Sequence, residues 1–381
     1  MIYLDNNATT PVDPQVCEKM SWFAKEHFGN PSSIYPIGRA VKEIINEARE
    51  NIAKAIGALR SEIIFTGSGT ESDNFAIRGI ITAIPEKNEF ITSTIEHPAV
   101  IETGKYLEKK GYRVIYTPVD EYGFVDLDFL ERSLSDKTAL ISIMHANNEI
   151  GTIQPIKDIV KIAHRRNIPV HTDAVQTFGK INLSVDDLEV DLLSVSAHKI
   201  YGPKGIGALY VRKGTRIAPL IYGGHQERLM RAGTENTIGI VGFGEAVLIL
   251  QKRSDKDKKN IENISDRLKR GIQEKISHIK FNGPEKNRIK GTLNFTFYGL
   301  ESEAILLSLA TKNIFVSTGS ACSEDSEEAS HVLTAIGLKP EHARASVRIS
   351  LGRFNTEEDI DTVLIELPEI IAKLREISGM T

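Results

Sequence analysis

Seven short apolar runs fall within the first 211 residues, and longer amphipathic stretches separate several of them. The runs are 62–66, 90–94, 112–117, 139–145, 168–172, 190–196 and 206–211, with helical patterns over 37–57, 71–83, 100–110 and 156–166. Strand-length segments that are apolar throughout are buried on both faces, and their alternation with helices is the pattern of a parallel sheet covered by helices. The chain is therefore expected to be α/β, with a central seven-stranded, mostly parallel sheet. Sheets of this kind bind ligands beyond the carboxyl ends of their strands. His97, Asn148, Asp173 and Lys199 all follow apolar runs. One crevice can collect all four.

The character of the chain changes after about residue 250. Residues 252–260 are highly charged, and a long amphipathic helix is predicted from there to about His278. Residues 292–297 and 345–350 read as strands of a second sheet, and 303–311 and 357–377 as helices. A length of 381 residues exceeds one ordinary core. The expected division is a large domain over 15–250 and a smaller α/β domain built from 1–14 and 251–381. No internal repeat is visible.

Lys199 ends an apolar strand and precedes Gly202-Pro-Lys-Gly205, and Asp173 ends another strand 26 residues earlier. That pairing suggests a pyridoxal phosphate pocket, with the lysine holding the aldehyde and the aspartate facing the ring nitrogen. A carboxylate there keeps the pyridine nitrogen protonated and strengthens the electron sink. Asp173 also reads as the N-cap of a following helix. Lys199 needs desolvation or a nearby cation to act as a free amine; most lysines are solvated. Phe65-Thr-Gly-Ser-Gly-Thr-Glu-Ser72 is a small-residue turn between strand and helix, and its N–H groups can face a phosphate. It lacks the spacing of a Walker A loop or a dinucleotide fingerprint. Thr70, Ser196 and His198 offer further donors, or cap and pack locally. His97 is a candidate to stack on the ring and move a proton, or an ordinary strand-end histidine. Asn148 and Gln176 are candidates for the ring oxygen.

Only two cysteines occur, Cys17 and Cys322. They give no disulfide framework and no Cys-based metal site. Cys322 lies in Ser317-Thr-Gly-Ser-Ala-Cys-Ser-Glu-Asp-Ser326, a small, polar, acidic setting unlike that of a buried thiol. An electron sink with a loop-borne thiol points to sulfur chemistry on an amino acid. Cys17, in the apparent first helix, reads as structural. Net charge is −4, from 47 basic and 51 acidic residues, so no basic field recruits nucleic acid or an anionic membrane. No secretory signal or membrane span is expected, and the natural setting of such a chain is the reducing cytoplasm.

Taken together, these motifs resemble the cysteine desulfurases of the NifS/IscS type, pyridoxal phosphate enzymes of fold type I. The match spans nearly the whole chain. It includes Tyr3-Leu-Asp-Asn-Asn-Ala-Thr-Thr10, Phe28-Gly-Asn-Pro-Ser-Ser33, Gly69-Thr-Glu-Ser-Asp-Asn74, Asn147-Asn-Glu-Ile-Gly151 and His171-Thr-Asp-Ala-Val-Gln176. It continues through Ser196-Ala-His-Lys199, Arg231-Ala-Gly-Thr-Glu-Asn236, Gly319-Ser-Ala-Cys322 and Arg348-Ile-Ser-Leu-Gly-Arg353. The resemblance implies Lys199 as the cofactor lysine, His97 as acid–base residue and Asp173 as partner of the ring nitrogen. It gives Gln176 and Asn148 to the ring oxygen and substrate side. Gly69, Thr70, Ser196 and His198 would form the phosphate site, joined by Thr234 from the second subunit of a homodimer. Arg348 would bind the substrate carboxylate, with Asn148 assisting.

The resemblance also implies that Cys322 accepts sulfur from L-cysteine as a persulfide, leaving L-alanine. The sulfur would pass to an iron–sulfur scaffold protein or another acceptor, such as a tRNA-thiolation carrier. No intrinsic metal is implied, although Cys322 could touch a cluster on a partner. Residues 317–330 match the longer catalytic loop of the NifS/IscS group, expected to be mobile. The four acids among 324–328 are less typical and could raise the thiol pKa or tune acceptor docking. Alternatives are a selenocysteine lyase or aminotransferase, the latter needing no thiol, and a non-catalytic scaffold for sulfur assembly.

Overall fold

In the computed structural model, which describes residues 1–318 and 329–379, the seven apolar runs become the seven strands of one sheet. They are β1 (Ile63–Thr66), β2 (Glu89–Ser93), β3 (Arg113–Thr117), β4 (Thr138–Ser142), β5 (Val170–Asp173), β6 (Leu192–Ser196) and β7 (Gly207–Val211). Their spatial order is β1-β7-β6-β5-β4-β2-β3. β7 is antiparallel to both neighbours, and the other pairs are parallel. Six strands therefore point the same way, and the residues that follow β1, β2, β4, β5 and β6 emerge along one edge. β7 reverses because the ten residues 197–206 that join it to β6 fall short of the dozen or more that a parallel crossover requires.

Helices cover the sheet: α1 (Pro14–Glu26), α2 (Pro36–Ile56), α3 (Gly69–Ala83), α4 (Pro98–Lys109) and α5 (Ile156–His164). α2 ends on Gly57 in the left-handed conformation, a C-cap that glycine adopts without steric cost. Two apolar cores lie on the sheet's faces. One holds Ile45, Ile52, Ile63, Ile141 and Phe178, the other Phe75, Ile77, Ile80, Phe90 and Leu140.

The change of character near Leu250 is not a break in the chain. One helix, α6 (Thr237–Lys275), runs through it for 39 residues, roughly 58 Å at 1.5 Å per residue. Its first half sends Ile240, Phe243, Val247 and Leu250 into the large core. Its last turns send Ile264, Leu268 and Ile272 into a separate core with Leu4, Leu293, Phe295, Phe297 and Ile349. The charged stretch between is the solvated middle of the same helix.

The second core is built on an antiparallel sheet of β8 (Ile279–Phe281), β9 (Thr292–Phe297), β10 (Ser317–Thr318) and β11 (Ser346–Ser350), in the order β10-β11-β9-β8. A closing helix, α7 (Glu357–Ile377), packs on it. The N-terminal segment joins this half, with Ile2–Tyr3 parallel to Ile314–Phe315. Among the described residues, no helix is long and apolar enough to cross a membrane.

Candidate active site

After Thr66 the chain turns through Gly67 and Ser68, and Gly69 opens α3. Ser68 caps the helix, its Oγ accepting the Glu71 N–H at 3.1 Å. Two glycines allow close packing here. A Cβ on Gly207 of β7 would lie 2.7 Å from the Ser68 carbonyl carbon. A Cβ on Gly69 would lie 2.8 Å from Val175 Cγ2 and 3.6 Å from Ser196 Cβ. The helix N-terminus is thereby drawn against the ends of β5 and β6, where its N–H groups are placed to meet an anion.

A cavity of about 460 Å3 lies at this strand edge. Gly69 and Thr70 form one wall, and His97 and Asn148 a second. Asp173 and Gln176 follow β5, and Ser196, His198 and Lys199 follow β6. Arg348, on β11, is the contribution of the smaller sheet. Ten of the twelve residues picked out from sequence thus share one cavity. Thr234 does not: it lines a separate hollow of about 230 Å3 with Gly67, Arg231 and Glu235. Cys322 lies outside the described residues. Cys17 is exposed on α1 rather than packed, so a structural role for its thiol is not supported.

Lys199 Nζ donates to the Asn7 and Ala8 carbonyls at 2.5 and 2.8 Å. Asp173 is buried, and its Oδ1 accepts the Val175 N–H at 2.8 Å. Burial pushes its carboxyl up to about 6, against the opposing effects of that hydrogen bond and of Lys199. Asp73 lies behind it on α3. Burial, then the Asp173 charge, drives Asp73 well above the usual carboxylate range. Two carboxyls this close do not both ionise easily, so a proton held by Asp73 leaves the charge on Asp173.

His97 N-caps α4, its Nδ1 accepting the Ala99 N–H at 3.1 Å. The neutral ring therefore carries its proton on Nε2. Burial first, then Lys199 and His331, hold its pKa down to about 4, so it stays neutral. His198 is lowered to about 4 as well, by burial and then Lys199, and its Nδ1 lies 3.1 Å from Thr9 Oγ1.

Arg348 is 2% exposed. It donates to Asp5 Oδ1 at 2.7 Å and to the Asn148 carbonyl at 3.3 Å, and its Nε has no partner. Gln176 is held by its neighbours, donating to the Asn7 carbonyl at 3.0 Å and accepting from Lys180 at 2.8 Å.

The residues present fit pyridoxal phosphate. Ser196 Oγ is buried on the cavity wall with no hydrogen-bond partner, beside the N-terminus of α3. A buried alcohol left unsatisfied is costly unless a ligand completes it. An amine, a buried carboxylate and an anion cradle share the same cavity.

Sequence reasoning passed over Asp73, Glu96, Glu149, Asn7 and Lys180. Asp73 was detectable: it lies four residues after Gly69 on a helix, hence on the same face. Glu96 and Glu149 are buried carboxyls pushed up to about 8 and about 7 by desolvation. Their burial depends on Met144 and Ser330, which no local pattern links to them.

Residues 2–363 match the family model for aminotransferase class-V. A cysteine desulfurase IscS of Dictyoglomus turgidum is 53% identical over 378 residues, covering 99% of this chain and 96% of the relative. A cysteine desulfurase IscS of Clostridium botulinum is 49% identical over 382 residues, covering 100% and 96% respectively. Among solved structures, a NifS-like protein superposes with a TM-score of 0.92 at 41% identity, covering 98% of this chain and 100% of that one.

Proposed function

Because the chain belongs to the aminotransferase class-V family, as a cysteine desulfurase, we propose that the cavity at the strand edge holds L-cysteine while its sulfur passes to Cys322. The observation that carries this reading is the meeting of Lys199, Asp173, Arg348 and the unpartnered Ser196 alcohol in one cavity. Pyridoxal phosphate, when bound, supplies an electron sink that weakens the bonds at the substrate Cα and Cβ.

The chain's own residues supply the rest. Gly69, Thr70, Ser196 and His198 would hold the phosphate at the start of α3, and Asp173 would offer its negative charge to the ring nitrogen. Lys199 would give the amine that holds the aldehyde and would be the base placed to move the Cα proton. Arg348 takes the substrate carboxylate. Its Nε is available for a second, parallel hydrogen bond, the geometry a carboxylate prefers. Asn148 and Gln176 border the ring oxygen and the substrate. Neutral His97, with its proton on Nε2, faces the site as a proton relay for the substrate thiol.

Cys322 attacks the substrate sulfur as a thiolate, not its carbon. A sulfur–sulfur bond forms and the carbon–sulfur bond breaks. The electron pair stays on carbon, which takes up a proton and leaves as L-alanine. Tether length supports this assignment. Ser317 pairs with Arg348 across the small sheet, and Ser330 donates to Glu149 on the cavity wall at 2.6 Å. Cys322 is four residues beyond Thr318, a reach of about 14 Å. The persulfide sulfur would then pass to an iron–sulfur scaffold protein or another acceptor.

A homodimer completes the reading, with Thr234 serving the cavity of the second copy. The test is a single turnover with L-cysteine, following alanine and labile sulfur on the protein. Wild type should give equal amounts of both, with the sulfur on Cys322. Cys322→Ser should hold neither labile sulfur nor turnover. Alanine release by Cys322→Ser at the wild-type rate, or label on Cys17, would overturn the assignment.

A further inference from the structure

Four residues after Gln176 the chain places a second lysine beside the first. The preceding Gly179 has φ +80°, and a Cβ there would meet Leu250 and Ile200 at 2.8 and 2.9 Å. This turn sends Lys180 back under the site instead of out to solvent. Its Nζ donates to Asn7 Oδ1 and Gln176 Oε1, both at 2.8 Å. Both acceptors are neutral amides, so neither offers the half-buried ammonium a counter-charge.

Asn7 is the joint that Lys180 holds. Its N–H donates to Ser350 Oγ at 2.9 Å, and its side-chain Nδ2 to Thr292 Oγ1 at 2.8 Å and the Asn148 carbonyl at 3.0 Å. Its carbonyl accepts from both Lys199 Nζ and Gln176 Nε2. The residue thus ties β9 and β11 of the small sheet to the lysine of the large one. Lys180 fixes its amide orientation, because an ammonium bonds only the oxygen end.

We propose that Lys180 is a positioning residue for Lys199: it locks the Asn7 carbonyl that receives Lys199 Nζ, and its charge disfavours a second charge on Lys199, leaving that amine unprotonated to combine with an aldehyde. The inference rests on Lys199 as the cofactor lysine. Two half-buried amines bonded to one asparagine repel each other when both are protonated. Burial, then Lys199, then Arg348 pull Lys180 down to about 7, so the pair gives up one of its two protons near neutral pH.

The other groups facing the pair come from several elements. Asp173 on β5 and His198 after β6 act on Lys199, as does His97 at the start of α4. Arg348 on β11 acts on Lys180. On the opposite side, Lys180 and Lys199 both line a second hollow of about 400 Å3, where Asp257, Lys258, Glu262, Arg288, Lys290 and Arg353 also stand. Of the groups facing Lys199 from the large domain, Lys180 is the one lysine whose amine shares Asn7 with it.

The experiment compares Lys180→Met, Lys180→Gln and Lys180→Arg with wild type. The pH midpoint of the visible absorbance of each holoenzyme is measured. In the full-length apoprotein, the pH midpoint for reductive methylation of Lys199 is read by mass spectrometry. Met and Gln should raise both midpoints by about one unit or more. Arg, which keeps the charge, should not raise them. Gln retains a hydrogen-bonding amide, so a shift there is due to charge and not collapse. Unchanged midpoints in Met and Gln, with cofactor still reducible onto Lys199, overturn the proposal. Cofactor reduced onto a different lysine would instead overturn the reading of Lys199.

Discussion

Ser196 shows how a single atom separates cofactor binding from stability. Its Oγ loses nothing in Ser196→Ala apoprotein, because it has no partner there to lose. The substitution should leave apoprotein stability within about 0.5 kcal/mol of wild type. Cofactor affinity should fall roughly 10-fold to 100-fold, the scale of one hydrogen bond to a charged group. Denaturant melts and cofactor titration read the two effects, and equal affinity would remove Ser196 from the phosphate site. Glu96 gives a pH test. Its folded carboxyl is pushed up to about 8 by burial, against bonds from Ser93 and Met144. Unfolded, it ionises near the ordinary value, so between about 4.5 and 8 the folded state holds a proton that the unfolded state has lost. Its contribution is full below that window and is lost as pH rises through it. Glu96→Gln should therefore flatten the decline of stability with rising pH; an unchanged slope would contradict the raised value. That Lys199, Asp173 and His97 share one cavity was legible because each stands at the end of an apolar run. Asn7 and Lys180 were not, since their roles arise from contacts spanning 173 residues of sequence.

At the level of elements, the turn that opens the site hangs from an edge strand. β1 has one neighbour, β7, and its other side would present unpaired backbone groups. Arg49 of α2 and Arg228 donate to the Ile63 carbonyl at 2.9 and 2.8 Å, and the Phe65 N–H donates to Glu227 at 2.9 Å. Arg49 and Glu227 form a bidentate pair at 2.5 and 2.6 Å, with side chains 8% and 2% exposed. That pair also holds Glu227, Arg228 and Leu229 at φ 45°, 58° and 67°, a left-handed run that non-glycine residues resist. Arg49→Met strands a buried carboxylate and should cost about 3–5 kcal/mol, and removing Glu227 as well should restore part of it. Chemical denaturation decides; a cost below about 1 kcal/mol would mean the edge is held by other contacts. The strands themselves were readable because they are apolar throughout. Their order was not, and neither was the first half of α6, the sequence marking a helix only from the charged stretch onward. Charge in the middle of that helix imitates a linker, because a solvated helical span between two cores buries nothing.

Across the whole molecule, two cores share α6, and the cavity lies where the large sheet's strand ends meet β11 of the small one. Arg353 reinforces that junction, pairing with Asp13 at 3.0 Å and Asp257 at 2.7 Å while 1% of its side chain is exposed. Thr234 is the one proposed cofactor residue in a different hollow of its own chain. If it serves a second copy, mixing Lys199→Ala and Thr234→Val chains should restore activity in the hybrid, because one of its two sites is then complete. Without recovery, Thr234 acts within its own subunit or not at all. The account as a whole stands on Lys199 as the residue that carries the cofactor. Borohydride reduction of the holoenzyme, followed by peptide mapping, tests this most directly. The cofactor mass should appear on the peptide containing Lys199, one per chain, and be lost in Lys199→Ala. Cofactor found on Lys180 or Lys204, or retained covalently in Lys199→Ala, would contradict it.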